Sequence, residues 1–263
     1  MAARELEIHA GHWRAENSGA NGILNEVREN RRTAKRVFEI LQKAKVPSTY
    51  FEDNSSTNQR DNINTIIKHH NADRDGLIVS FHFNASGAKT DKPIGTEVLY
   101  TTQKSLATEL SQSISDATGG GLLNRGAKYR DNLGVLSRTY EPAVLIEVCF
   151  VNSSVDAAIY NRDFEKICQA IAKVLAKSIG YKLSNTTTAK EDDEMTFSSP
   201  ALQAETEFSL ASRAHREFIV KTAIAHGANE KVWMEKLENN TLTEGDLAGL
   251  AIKAVVGFNK GEK

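Results

Sequence analysis

Four residues of types that can hydrolyse an amide sit where strands end or helices begin: His12, Glu26, His82 and Glu147. His12 follows a short strand opened by Leu6 and Ile8, and Glu26 opens the helix after it. His82 lies near the end of the strand GLIVSFHFNA (76–85), and Glu147 lies within the apolar strand AVLIEVCFV (143–151). In an open α/β sheet, sites form beyond the carboxyl ends of strands, so these residues can converge despite their separation in sequence. Two histidines and one carboxylate make a zinc ligand set with a fourth position left for water. Zinc lowers the pKa of that water towards ~7 and polarises a carbonyl. Glu147 is then free to act as general base and afterwards as general acid to the leaving nitrogen. The competing readings are a salt-bridged or capping Glu147 and strand-end histidines that are simply polar residues with a partner.

Strand alternation sharpens the placement. Leu77, Val79, Phe81 and Phe83 share one face, and Ser80, His82 and Asn84 the other. Likewise Val144, Ile146, Val148 and Phe150 oppose Leu145, Glu147 and Cys149. Cys149 reads as packing, because no supporting histidine is identifiable beside it. His69, His70, His215 and His226 fall in helical patterns and read as surface or cap residues.

The elements that must hold these residues alternate along the first two thirds of the chain. Helical spacing over Ala34–Ala44, Ile63–Ile67, Leu106–Ile114 and Phe164–Leu175 is interleaved with strands at Leu6–Trp13, Pro47–Phe51, 76–85, 95–100 and 143–151. That order predicts an α/β fold with a mostly parallel sheet and helices on both faces. Residues 184–200, SNTTTAKEDDEMTFSSP, read as a linker. Beyond it only helical patterns remain: Phe208–His226 with Gly227 as stop, a short helix carrying Val232, Trp233 and Leu237, and a capping box at Thr241 and Glu244. The organisation is therefore 1–183 catalytic, 184–200 linker and 201–263 a small all-α module.

Composition narrows the function classes. The 263 residues carry a formal net charge of -1, which argues against general binding to a phosphate backbone. No apolar run is long enough to span a membrane, and no secretory signal is visible. Two cysteines make neither a disulfide scaffold nor a Cys-rich zinc site. No nucleic-acid or membrane partner is expected.

The segments HAGHW (9–13), GANG (19–22), Asn25–Glu26, VSFHFNA (79–85), RGAKYRDNLGVL (125–136) and PAVLIEVCFVNSSVD (142–156) resemble the zinc-dependent N-acetylmuramoyl-L-alanine amidases of the amidase-3 family. The last two are most similar to the branch found in phage endolysins acting on Gram-positive walls. The resemblance implies Zn2+ on His12, Glu26 and His82, with Glu147 as catalytic acid/base. It implies cleavage of the amide between N-acetylmuramic acid and the first L-alanine of the stem peptide. His9 stands where many members carry Asp, and is a rival for the first metal position; Trp13 stands where many carry Gly, and either narrows the cleft or lids the core. Asn84 takes a role in orienting His82 or the strand end at the substrate side. Arg125 and Lys128 fall in a stretch that resembles a substrate-side loop, where either can hold a stem-peptide carboxylate or remain simply solvated.

The implied protein is a lysin that waits in the host cytoplasm, without a signal peptide, until it is released onto Gram-positive peptidoglycan. A bacterial autolysin or spore-cortex amidase shares the chemistry, and a zinc peptidoglycan peptidase is a further alternative. The helical module is expected to bind a wall polymer. Eight Lys and Arg against nine Asp and Glu in 201–263 make that recognition tolerant of salt. The module also invites self-association, because so small a core is marginal. Lys190–Glu191–Asp192 can be encoded by a ribosome-binding sequence ahead of Met195, so the partner can be a fragment starting at Met195.

Overall fold

In the computed structural model the described residues are 5–183, 213–225, 227–239, 242, 246–247 and 249–250. The linker expected over 184–200, with Met195, and Phe208, His226, Thr241 and Glu244 lie outside them. The chain divides into two compact units, Met1–Ser184 and Asn185–Lys263.

The first unit is built on β1 (Glu5–Trp13), β2 (Ser48–Asp53), β3 (Gly76–Asn84), β4 (Thr96–Tyr100), β5 (Asn124–Tyr129) and β6 (Ala143–Phe150). They form one sheet in the order β2-β1-β3-β6-β4-β5. β2, β1, β3 and β6 run parallel, and β4 runs antiparallel to β6 with β5 parallel to β4. The expected mostly parallel sheet is therefore present, with one reversal. The expected loop at Arg125 and Lys128 is a strand instead. β5 is the sheet edge, and an edge strand need not carry the apolar alternation by which strands are recognised.

Helices cover both faces. α1 (Glu26–Lys43), α3 (Lys104–Ala117) and α6 (Phe164–Ser178) pack on the face that carries Leu6, Ile8, Val79, Phe81, Val144 and Ile146. Their own contribution follows helical spacing: Ala34, Val37 and Leu41; Leu106, Leu110 and Ile114; Ile167, Ile171 and Leu175. α2 (Gln59–His70) and the single turn α4 (Gly134–Ser137) cover the other face, where a smaller cluster joins Ile78, Leu99, Leu136 and Leu145. That face is thinner in apolar packing and holds the polar residues Glu7, His9 and Ser80 instead, all buried.

A short helix, α5 (Ser154–Arg162), fixes the rim of the sheet. Ser153 caps it by accepting from the backbone N–H of Asp156. The fully buried Asp156 then accepts from the backbone N–H groups of Ile94 at 2.9 Å, Gly95 at 2.9 Å and Phe150 at 3.3 Å. One carboxylate thus ties the approach to β4 to the end of β6.

In the second unit, α7 (Arg213–Ala225) and α8 (Glu230–Glu238) follow one another, with Asn229 capping α8. Val220, Ala223 and Leu250 are buried, and Trp233, Met234 and Leu237 pack against them. Trp233 thus serves this unit's own small core.

Asp156→Ala would leave three buried backbone donors unpaired. It is expected to lower the unfolding free energy in urea by about 3 kcal/mol or more, since bonds to a charged acceptor contribute ~1.5–3 kcal/mol each.

Candidate active site

Three ligand-type side chains meet at the carboxyl end of the parallel strands. Glu26 Oε1 accepts from His12 Nε2 at 3.0 Å and His82 Nδ1 at 2.9 Å. The ligand atoms of all three lie within 4.8 Å of one another. The two imidazole rings stand edge to face with centroids 4.9 Å apart.

Local sequence explains the convergence. Asn25 caps α1 by accepting from the Arg28 N–H, which places Glu26 in the first helical turn, where the helix dipole favours a negative charge. The other Glu26 oxygen accepts from the Ala20 N–H at 2.6 Å. Asn30 Nδ2 donates to the Gly11 carbonyl at 2.9 Å, pinning the helix to the end of β1. His12 then turns with φ 64°, a left-handed conformation that a residue with a Cβ rarely adopts. Gly11 and Gly19 leave the space: a Cβ at Gly11 would lie 2.2 Å from the His82 ring, and one at Gly19 2.8 Å from Glu26 Oε2.

Glu147 stands beside this cluster, in register with His82 across the β3–β6 pair. Its Oε2 is buried and has no hydrogen-bond partner among the described residues. Burial, together with the Glu26 and Glu97 carboxylates, pushes the Glu147 carboxyl well above the usual range. Glu26 goes the other way. Burial acts to raise it, but the hydrogen bonds and charge of His12 and His82 outweigh this and hold it far below the usual carboxylate range. Burial also lowers His82, against the pull of Glu26. One carboxylate is therefore held ionised among nitrogen donors while its neighbour favours a proton, the separation of roles that acid/base hydrolysis needs.

The reversed strand β4 adds a residue that the sequence reading missed. Glu97 is in register with Glu147 and is buried. It accepts from Asn84 Nδ2 at 3.1 Å and from Arg125 Nε at 2.8 Å. The signal was a charged residue inside the apolar strand GTEVLY, the same feature that singled out Glu147. Asn84 spans Glu97 and the Ala85 N–H, so it holds the strand end while Glu26 orients His82. Arg125 also lies over the Phe150 ring at 5.0 Å, and Lys128 is in register with Leu99, two residues beyond Glu97. The structure thus brings Arg125 to the rim of the site through Glu97.

Other expectations change. His9 is fully buried and pairs with His70 Nε2 at 2.9 Å, apart from the three-residue cluster, so it is not the first-position ligand of that cluster. His70 is not a surface residue: it is buried at the end of α2, because its Nδ1 meets Glu7 Oε2 at 2.6 Å. Cys149 joins the main core with Val148, because the β3–β6 register shifts between His82 and Asn84 and the strict alternation ends at Glu147. Trp13 is half-buried in register with Asp53, and its carbonyl accepts from Ser18.

Comparisons with known proteins identify the family and the fold. Residues 7–179 match the family described as N-acetylmuramoyl-L-alanine amidase. An uncharacterized 38.4 kDa protein of Clostridium perfringens is 34% identical over 177 residues, covering 64% of this chain and 49% of its own length. The chain spans about half the length of the curated relatives it matches. Among solved structures, the catalytic domain of the CD27L endolysin targeting Clostridia difficile superposes with a TM-score of 0.58 at 24% identity, over 69% of this chain and 99% of that one. The catalytic domain of CwlV, an N-acetylmuramoyl-L-alanine amidase from Bacillus (Paenibacillus) polymyxa, gives 0.55 at 26% identity, over 68% and 99%.

Gly11→Ala is expected to displace the His82 ring while leaving the sheet folded. Transition-metal affinity, read by competition with a chromophoric chelator, is expected to fall ~10-fold or more.

Proposed function

The chain belongs to the N-acetylmuramoyl-L-alanine amidase family, and on that premise we propose that it is a zinc-dependent hydrolase of the amide between N-acetylmuramic acid and the L-alanine of the stem peptide. The observation that carries this is the cluster of His12, Glu26 and His82 beside the unpartnered Glu147 Oε2. Two nitrogens and one carboxylate oxygen suit zinc and leave a coordination position open. A bound zinc supplies Lewis acidity, making water nucleophilic near neutral pH and polarising the amide carbonyl.

The chain's own residues do the rest. Glu26 keeps His12 and His82 facing one point, where the three side chains would share the metal as ligands. Glu147 Oε2 takes a proton from the attacking water and delivers it to the departing L-alanine nitrogen. Its raised pKa suits the second step, and proximity to a metal cation would ease its ionisation for the first. Glu97 places a second carboxylate beside Glu147 and holds Arg125 at the rim. There the guanidinium can reach a stem-peptide carboxylate, with Lys128 further along the same edge strand.

We further propose the lysin role, a 1–183 catalytic domain, a 184–200 linker and a 201–263 module that binds a Gram-positive wall polymer and can self-associate, including with a fragment starting at Met195. The lysin role rests on the similarity of 125–136 and 142–156 to the endolysin branch; the host cytoplasm is then the compartment before release. A bacterial autolysin would use the same site.

Two variants and one product analysis test the chemistry. His82→Ala is expected to lose metal and wall-lysing activity together. Glu147→Ala is expected to keep zinc and lose ~100-fold or more in rate, the range for a positioned acid/base. Release of zinc from Glu147→Ala would mean that ligand and base are exchanged. Mass spectrometry of digested walls should find intact stem peptides with an L-alanine amino terminus; shorter peptides would instead identify a peptidase.

A further inference from the structure

The opposite end of the sheet carries a second group of carboxylates that the amidase reading does not use. Glu5 and Glu7 begin β1, Asp73 and Asp75 lie in the turn before β3, and Glu141 precedes β6. Five residues further along β1 is His12, about 16 Å away at the strand rise, so the two groups are separate. Ligand oxygens of Glu5, Glu7 and Asp73 lie within 4.8 Å of one another, as do those of Asp73, Asp75 and Glu141. Asp73 belongs to both sets.

These carboxylates are poorly compensated. Among the described residues no Lys or Arg forms an ion pair with any of them, and the one basic group that meets Glu7 is His70. Glu7 and Glu141 are buried, 4% and 6% exposed. Each gives one oxygen to a protein donor: Glu7 Oε2 to His70 Nδ1, and Glu141 Oε1 to the Gly76 N–H at 2.6 Å. The remaining oxygens, Glu7 Oε1 and Glu141 Oε2, are buried and meet no donor from the rest of the described residues, while the two carboxyl groups lie within hydrogen-bonding reach of each other. Gly76 makes the approach possible, since a Cβ there would lie 2.1 Å from Glu7 Oε1. Burial raises both Glu7 and Glu141 to about 7, so near neutral pH their excess charge is met by a proton or by a cation.

We propose that Glu5, Glu7, Asp73, Asp75 and Glu141 form a second, all-oxygen metal site that takes a calcium-class cation and ties the start of β1 to the segments preceding β3 and β6. Ca2+ binds six to eight oxygens at about 2.3–2.6 Å, so its ligands can stand up to ~5 Å apart, the spacing within each of the two sets that share Asp73. Five carboxylates with waters reach that number. Mg2+ demands a tighter octahedron, and zinc prefers the nitrogen-bearing cluster at the other end. Asp73 and Asp75 are exposed, which gives the ion a path in from solvent.

The test uses the full chain, freed of calcium and supplied with one equivalent of zinc. Millimolar CaCl2 is expected to raise the thermal midpoint by about 5 °C, with matching heat in a calorimetric titration, and MgCl2 by much less. Asp73→Asn and Asp75→Asn should each remove most of the calcium shift while zinc content and wall lysis stay unchanged. An equal shift from MgCl2 would reduce the effect to charge screening and overturn the proposal. So would a calcium shift that survives Asp73→Asn. Absence of any heat or shift with CaCl2, with Asp73→Asn alone stabilising the protein, would identify a proton-held cluster and overturn it too.

Discussion

One hydrogen-bonding arrangement organises the catalytic end of the molecule: a single carboxylate oxygen, Glu26 Oε1, facing two imidazole nitrogens. Burying that carboxylate is unfavourable unless donors surround it. The donors it finds are His12 on β1, His82 and the Phe83 N–H on β3, and the Ala20 N–H between β1 and α1. The neighbouring sequence follows from this need. Asn25 sets the helix start, Asn30 pins the helix to Gly11, and glycines at 11 and 19 leave the space the rings require. The left-handed His12 is a local strain of about 1–2 kcal/mol that the surrounding bonds must offset. Strain of this kind persists where an arrangement serves chemistry rather than stability.

The sheet direction decides what else reaches that cluster. Parallel strands alone would bring only their carboxyl ends to the site. Because β4 reverses, Glu97 near its amino end comes alongside Glu147, and β5, parallel to β4, brings Arg125 to Glu97. The reversal therefore puts a second carboxylate beside the proposed acid/base and a guanidinium at the rim. The same geometry sends the amino ends of β1 and β3 the other way, where Glu7 and the Gly76 N–H meet Glu141.

Much of this was legible from residue types. The alternating pattern of strands and helices, the polar positions in LIVSFHFNA and VLIEVCF, and Glu26 at a helix start allowed His12, Glu26, His82 and Glu147 to converge at one end of a sheet, and the family resemblance singled them out from the other polar residues. What escaped had weak local signals. β5 reads as a loop because NRGAKY has no apolar alternation, and its strand character comes from pairing with β4 at the edge. His70 reads as a surface residue because its helix is mostly polar, and its burial is decided by Glu7, sixty-three residues away in sequence. Cys149 is displaced from the Glu147 face by a register shift that no single strand's sequence encodes.

The two faces of the sheet show why such misreadings cluster where they do. The face under α1, α3 and α6 is close-packed and apolar, and there hydrophobic periodicity is a sufficient guide. The face under α2 and α4 has little apolar area, so its burial is held by paired polar groups: Glu7 with His70 and His70 with His9. Such pairs are long-range and directional, and removing one partner leaves the other buried and uncompensated. A sheet face of that kind contributes less to stability per unit area than an apolar one. It provides instead a row of titratable groups fixed by backbone register.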